Sequence, residues 1–130
     1  MLDMTPAAWK QLGNEKYISL ETYRRDGTPV RTPLWFAADS SGSEFYISTP
    51  ANSGKVKRIR RYPRVRVAAC DFGGNVKGTW LDAEARFCED EEAKRAGRLL
   101  DRKYWSKIFF NAAAFLFRRE RALIALRSTD

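Results

Sequence analysis

A chain of 130 residues fits one domain, because it can bury a single core but is too short to divide comfortably into two. Hydrophobic residues make up 44% of it and its net charge is +8, so we expect a folded protein whose basic surface meets an anionic partner. The chain contains no histidine, which excludes Ser-His-Asp and Cys-His triads, the usual zinc sites and the commonest general base.

The first half of the chain predicts a short helix followed by a β-hairpin. Thr5 and Pro6 are a suitable N-cap and first helical residue, and this helix should end near Gly13 and Asn14. Apolar and polar residues then alternate on either side of Asp26-Gly27, which predicts antiparallel strands at about 16–24 and 28–38. The turn "DSSGS" leads into a third strand, "EFYIST".

The second half predicts another hairpin, a helix and a last strand. "RVRVAACDF" and "VKGTWLDAEARFCE" flank the turn "GGN". The segment "DEEAKRAGRLLDRKYW" has acidic residues in its first turn and basic ones later, as a helix dipole favours, and "RALIALRS" reads as a sixth strand. Because most strands are joined by hairpins, we expect one α+β domain over 1–130, a six-stranded antiparallel β-barrel with flanking helices.

Three features bear on the compartment. Cys70 and Cys88 have no metal-ligand spacing, and the N-terminus does not resemble a signal peptide, so we expect a cytoplasmic, reduced protein. The apolar run Ile108–Phe117 contains Asn111 and has about half of the roughly 20 residues that a membrane span needs. We expect a buried or dimer-facing helix there and no membrane span.

The segment from Ser53 to Arg61 combines a turn-rich loop with a short basic helix. Val56 and Ile59 are three residues apart, as on one buried face, and Pro63 should end the helix. A strand, a loop and a helix in this order bring free backbone N–H groups, the Ser53 hydroxyl and the Lys55 ammonium to one point, which suits a phosphate. Judged on charge alone, a solvated basic helix is an equally open interpretation.

The stretch "TPVRTPLWFAADSSGSEFYISTPANSGKVKRIRRYPRVRVAACD" resembles the split β-barrel flavin and deazaflavin oxidoreductases related to pyridoxamine 5′-phosphate oxidase, in particular their deazaflavin (F420)-dependent branch. The most specific pieces are "TPLWF", the "T…SGKVKR" loop and helix, and "PRV". The resemblance extends from about Leu12 to Arg127, and its order of elements agrees with the predicted hairpins.

This resemblance implies a cofactor site and a homodimer. The residues beside the tricyclic ring, largely through backbone groups, would be Thr32, Pro33, Leu34 and Trp35, with Thr49 at the end of the next strand. The cofactor phosphate would be held by Ser53, Gly54 and Lys55, with Lys57 and Arg58 reaching the same phosphate or the acidic tail beyond it. Gly78 and Trp80 would come from the partner subunit, because such cofactors lie at the dimer interface.

The chain also departs from parts of this superfamily. Pyridoxamine phosphate oxidases read their substrate with Arg and His near the C-terminus, whereas this chain ends in "LRSTD" and has no His, which disfavours that activity. The Lys-Tyr-Gly-Trp segment common in the deazaflavin branch is here Lys103-Tyr104-Trp105, without the Gly.

The resemblance implies an F420-dependent oxidoreductase that passes hydride to a small quinone-, tetrapyrrole- or enone-like acceptor. Positioning would supply most of the catalysis, which fits a chain without histidine, and we assign no catalytic residue. Any proton could come from water, Tyr104 or a Lys. Alternatives are an FMN-binding oxidoreductase, a noncatalytic flavin, haem or lipid carrier on the same barrel, and a less favoured single-stranded nucleic-acid binder.

Overall fold

The computed structural model describes residues 5–104 and 121–130, and its strands form one antiparallel sheet with the order β2-β1-β5-β6-β7-β4-β3. The strands are β1 (Tyr17–Tyr23), β2 (Pro29–Trp35), β3 (Ala37–Ala38), β4 (Glu44–Pro50), β5 (Arg64–Cys70), β6 (Leu81–Phe87) and β7 (Arg121–Ser128). The helices are α1 (Ala7–Leu12), α2 (Gly54–Arg61) and α3 (Asp90–Lys103).

The sheet curls into a barrel because consecutive strands lie at its two opposite edges. β2 pairs with β1 at one edge and β3 pairs with β4 at the other, yet only Phe36 separates β2 from β3 in the chain. The Phe36 side chain is fully buried, with its ring centroid 5.0 Å from that of Phe45. The backbone N–H of Phe36 donates to the Tyr104 hydroxyl (3.1 Å), and this hydroxyl lies 2.8 Å from the Phe36 carbonyl oxygen.

The core fills the barrel with side chains from alternate positions of each strand, as the period of a β-strand requires. Five strands each contribute two buried residues spaced two apart: Ile18 and Leu20, Phe45 and Ile47, Val65 and Val67, Ala83 and Ala85, and Ile124 and Leu126. α1 packs near the start of β4, where the ring of Trp9 stacks on Phe45 at 4.3 Å. α2 packs near the end of β4 and buries Val56 and Ile59.

α3 packs against the outside of the barrel, on β3, β4 and β7. A second apolar cluster joins its residues Ala96 and Leu100 to Tyr46, Leu123 and Ala125 on the strands. This outer layer positions Tyr104, the residue after the helix, against the junction between β2 and β3.

The structure confirms the α+β antiparallel barrel but corrects its strand count from six to seven. The strand expected at 28–38 is divided, because Tyr104 takes the backbone hydrogen bonds of Phe36 and the chain then changes its pairing partner from β1 to β4.

Several predicted element boundaries also change. The residue before α1 is Pro6, with no side-chain cap, so the expected Thr5 cap and Pro6 first turn were wrong by one position. The strand expected at 76–89 is regular only over 81–87, and α3 ends at Lys103. Trp105 and the apolar run Ile108–Phe117 lie outside the described residues.

Candidate functional site

The N-terminus of α2 is held by two hydroxyl groups. Ser53 is its N-cap, and the Ser53 Oγ accepts a hydrogen bond from the backbone N–H of Val56 at 3.3 Å. The hydroxyl of the buried Thr49, at the end of β4, lies 3.2 Å from the same Oγ. The first N–H groups of a helix lack intrahelical acceptors, so this turn presents donors and the positive end of the helix dipole.

The Arg58 side chain returns to this first turn. Its Nε donates to the hydroxyl of the buried Thr22 at 2.7 Å, which fixes the orientation of the guanidinium. A Cβ added to Gly54 would lie 2.7 Å from the Arg58 Nη1, closer than real contacts allow. Glycine at position 54 therefore lets the guanidinium lie against the start of the helix.

The charges in this region repel one another. Burial lowers the pKa of the Lys55 ammonium, and the charge of Arg58 lowers it further. Burial also lowers the pKa of the Arg58 guanidinium, with added repulsion from Arg24 and Arg61. No ion pair within residues 5–104 and 121–130 includes Lys55 or Arg58.

Ser53, Gly54, Lys55 and Arg58 thus form one positively charged group, which we call the phosphate cradle. A phosphate placed there would accept charge-assisted hydrogen bonds and relieve the repulsion between two cations. Lys57 lies on the exposed face of the same helix.

The four residues predicted beside a ring lie on β2, and their side chains alternate between two faces. Thr32 and Leu34 are half-buried, whereas Pro33 and Trp35 are exposed. The Trp35 ring stacks on Tyr104 at 4.8 Å with the planes 7° apart. These side chains do not converge on one point, but β2 is an edge strand of the described sheet, so one row of its backbone groups can meet a ligand.

Trp80 lies on the outer face of β1, the opposite face from Thr22. Val76 pairs with Cys70, so a regular antiparallel register would place Thr79 opposite Val67. Leu81 lies opposite Val67 instead, and the strand therefore contains a bulge of two extra residues between Val76 and Leu81. The Trp80 ring in this bulge lies 4.8 Å from the Arg31 guanidinium carbon and 5.3 Å from that of Arg66. Gly78, in the same bulge, packs against Ala69.

Tyr104 and Lys103, two candidate proton donors, have different environments. Burial raises the pKa of Tyr104 to about 12, and its hydroxyl lies between backbone groups of Phe36 and the carbonyl oxygen of Lys16 (2.5 Å). Burial lowers the pKa of Lys103 to about 8, although Glu15 opposes this effect. The Lys103 Nζ donates to the Glu15 carbonyl oxygen at 2.8 Å and lies 3.8 Å from the Phe36 ring centroid. The Tyr104 hydroxyl is therefore a structural group and a poor proton donor.

Sequence reasoning missed Thr22, although it orients Arg58. The available signal was its position: Ile18, Leu20 and Thr22 form one row of β1, so a polar residue continues a row of core residues. A buried hydroxyl needs a hydrogen-bond partner, but the strand pattern does not say which side chain provides it.

The sequence model of the pyridoxamine 5′-phosphate oxidase family matches residues 4–127. The chain belongs to this family. Its members are flavin-binding oxidoreductases with a split barrel, which agrees with the curled sheet. No curated protein shows significant similarity to the chain.

Solved structures share this fold at low sequence identity. A conserved hypothetical protein from Mycobacterium tuberculosis is 23% identical with a TM-score of 0.71, over 99% of this chain and 83% of that one. A structure described as an F420 reductase is 20% identical with a TM-score of 0.62, over 97% of both chains. HutZ, a haem storage protein from Vibrio cholerae, is 12% identical with a TM-score of 0.65, over 95% of this chain and 87% of its own.

No described helix is long and apolar enough to cross a membrane. Within the described ranges, no group of three or more Cys, Asp or Glu side chains is placed to hold a metal ion.

Proposed function

We propose that this family member is an oxidoreductase that binds the deazaflavin coenzyme F420 and reduces a small organic acceptor of quinone-, tetrapyrrole- or enone-like structure. When bound, F420 supplies hydride chemistry, because carbon replaces the flavin N5. The residues of this chain bind and orient the cofactor and contribute no histidine acid or base.

One observation carries this proposal, the phosphate cradle. Thr22 fixes Arg58 over Gly54, and Lys55 lies beside it with its pKa already lowered by burial and by Arg58. Holding two cations together without a carboxylate costs free energy, which a bound phosphate would offset.

The proposed ring position uses the backbone of β2 from Thr32 to Trp35 together with Thr49, whose hydroxyl lies 3.2 Å from the Ser53 Oγ of the cradle. In a homodimer, Gly78 and Trp80 of one subunit would complete the site of the other. The Trp80 bulge supports this proposal, because it presents a large aromatic side chain on the outer face of the barrel.

F420 is preferred over flavin mononucleotide in this proposal because it carries an oligoglutamate tail. Lys57 and Arg61 lie on the exposed surface of α2 and, together with Arg58, are the residues proposed to meet it. Each exposed pairing is worth about 0.2–1 kcal/mol, so two or three give a several-fold to roughly thirty-fold preference that falls as salt rises.

Fluorescence titrations with long-tailed deazaflavin, tail-less deazaflavin and flavin mononucleotide, each at two salt concentrations, test the proposal. We expect long-tailed deazaflavin to bind most tightly at low salt, with the difference shrinking at moderate salt. Equal affinity for both deazaflavins at low salt would contradict the tail argument. Tighter binding of flavin mononucleotide would favour the FMN-dependent alternative.

A noncatalytic haem carrier is the second candidate, favoured by the shared fold with HutZ. The same titration with haem separates the two proposals. Saturable haem binding together with no binding of either deazaflavin or flavin mononucleotide would favour the carrier.

A further inference from the structure

A cavity of about 550 Å³ lies near the C-terminal end of α2. Its walls are the turn between β1 and β2, the last residues of α2, and the first residues of β5 and β6. The basic residues of its lining are Arg24, Arg25, Arg61, Arg64 and Arg66.

Four of these five arginines form no ion pair with a carboxylate in the described parts of the chain. Arg66 is the exception, because its Nε donates to Glu21 at 2.7 Å. The other four take part in none of the ion pairs found there. Asp82 is the single carboxylate of the cavity lining, so the cavity is strongly positive.

The wall nearest α2 is ordered by direct contacts. The Arg61 Nη2 donates to the Tyr23 carbonyl oxygen at 2.5 Å. The Tyr23 and Tyr62 rings meet edge to face, with their centroids 6.0 Å apart. The first of these contacts holds the Arg61 guanidinium against the β1 end of the cavity wall, which distinguishes the cavity from a solvated basic helix face.

The size and charge of the cavity select a ligand class. Cavities of roughly 300–1,000 Å³ are typical of small-molecule sites. Four guanidinium groups spread around such a space match several negative groups along one flexible chain better than a single phosphate.

The cavity and the phosphate cradle are at opposite ends of α2. Eight helical residues span about 12 Å, roughly one and a half Debye lengths at physiological salt and well under one at low salt, so charges at the two ends interact mainly at low salt. Arg24 and Arg61 of the cavity are among the charges that lower the pKa of Arg58 in the cradle.

We propose that this cavity binds a flexible oligoanion, a chain bearing several carboxylate or phosphate groups, and that its occupancy strengthens anion binding at the phosphate cradle. Neutralising Arg24 and Arg61 removes repulsion that Arg58 otherwise feels, so the two anions bind with positive coupling. The coupling rests on the proposed function of the cradle, whereas the cavity site does not.

Calorimetric titration with tetraglutamate at low salt tests the cavity site directly. We expect saturable binding that weakens roughly three- to ten-fold in Arg64→Gln. Arg98→Gln, which removes the same charge from an exposed position on α3, is the matched control and should change affinity less than about two-fold. Because both arginines are exposed, thermal unfolding should be unchanged in both variants.

Three outcomes would overturn the cavity site. The first is a lack of saturable tetraglutamate binding, and the second is an equal loss of tetraglutamate affinity in Arg64→Gln and Arg98→Gln. The third is a single-stranded oligonucleotide that binds more tightly than tetraglutamate and loses the same affinity in both variants. The last two results would indicate a diffuse basic surface.

The coupling is tested with tail-less deazaflavin, titrated with and without saturating tetraglutamate. We expect its affinity to rise roughly two- to five-fold when tetraglutamate is present. An unchanged or reduced affinity would overturn the coupling. If tail-less deazaflavin does not bind at all, the proposed function fails, while the comparison of Arg64→Gln with Arg98→Gln still decides the cavity site.

Long-tailed deazaflavin identifies the source of the oligoanion. If it displaces tetraglutamate from the wild-type protein, the cofactor tail itself occupies the cavity. If both remain bound together, the cavity takes a separate oligoanion.

Discussion

Glu21 is a fully buried carboxylate that receives hydrogen bonds from three side chains. Burial by itself raises its pKa, but hydrogen bonds from Arg66, Tyr23 and Arg31 outweigh burial and lower the pKa to about 2. A carboxylate whose pKa is lowered by folding stabilises the protein above the pKa of the unfolded chain. This contribution is lost as the pH falls from about 4.5 toward about 2.

We predict that Glu21→Gln lowers the free energy of unfolding by about 2–3 kcal/mol at neutral pH, because the amide lacks the charge that both arginines contact. The difference from wild type should shrink below about pH 4, where the wild-type carboxylate also becomes neutral. Urea unfolding at several pH values measures it. Glu84→Gln, on the exposed side of β6, is the control and should show little change. Parallel pH curves for Glu21→Gln and wild type would contradict the assignment.

Tyr104→Phe removes one hydroxyl that contacts the backbone of Phe36 and Lys16. We predict a loss of about 1–3 kcal/mol in the free energy of unfolding, because buried backbone groups lose their partner. The pH dependence of acceptor reduction should not change, since a hydroxyl with a pKa of about 12 holds its proton throughout the accessible range.

Tyr62→Phe is the control for Tyr104→Phe, because Tyr62 is 47% exposed and should tolerate the change. A Tyr104→Phe variant that keeps its stability but loses one limb of its pH profile would instead make Tyr104 a proton donor.

Among the elements, α2 carries the proposed phosphate site. We predict that Lys55→Ala weakens binding of tail-less deazaflavin by about 1.5–3 kcal/mol, because it removes a charge-assisted contact to the phosphate. Arg98→Ala on α3 should have almost no effect. Equal losses at the two positions, measured by fluorescence titration, would show that the helix attracts anions only through the overall charge of the protein.

Thr22→Val tests whether β1 orients Arg58 on α2. The substitution keeps the side-chain shape but removes the acceptor of the Arg58 Nε. We predict roughly three- to ten-fold weaker binding of tail-less deazaflavin without a large change in stability. Thr28→Val, at the exposed hairpin tip, is the matched control. Unaltered affinity in Thr22→Val would mean that Arg58 reaches the phosphate without this support.

Local patterns predicted α2 well and the junction between β2 and β3 poorly. The spacing of Val56 and Ile59, the start of the helix at Ser53 and the strand before the loop are all local in the chain, and each agrees with the structure. The break at Phe36 depends on Tyr104, 68 residues away, so no pattern within "TPLWFAAD" could indicate it.

In the candidate site, too, the sequence predicted contacts between residues near in the chain and missed contacts between distant ones. Because a loop and a helix follow directly after a strand, the sequence predicted that Ser53 and Lys55 lie together. The Thr22 contact joins residues 36 positions apart, and the bulge that holds Trp80 arises from a change of register between β5 and β6. Such tertiary contacts depend on which strands pair and in which register, and composition and periodicity do not specify either.

At the scale of the whole molecule, an apolar patch lies on the outer face of β1 and β2. Trp35 is 36% exposed and Phe72 is 78% exposed. Tyr17 lies between them, paired in register with Trp35 and 5.9 Å from the Phe72 ring centroid. Exposed apolar patches of this kind mark association sites, which supports the proposed homodimer.

We predict that the protein is a homodimer of about twice its 15.0 kDa chain mass and that Phe72→Asp shifts it toward monomer. A charge placed in an apolar interface loses hydration without gaining a partner. Light scattering at micromolar concentration measures the change. Asn52→Asp, an exposed change in the loop before α2, is the control. A wild-type monomer that binds cofactor tightly would contradict the shared site.

Closure of the barrel through Phe36 also has a consequence for biosynthesis. β4 depends on β7 for its long pairing partner, and β7 is made after every other described strand. Until β7 leaves the ribosome, the β1–β2 hairpin can form, but β4 has only the two-residue β3 beside it. The nascent chain therefore carries unpaired strand edges for most of its synthesis, and such edges promote aggregation. The rate at which β7 docks thus sets how long these aggregation-prone edges stay exposed.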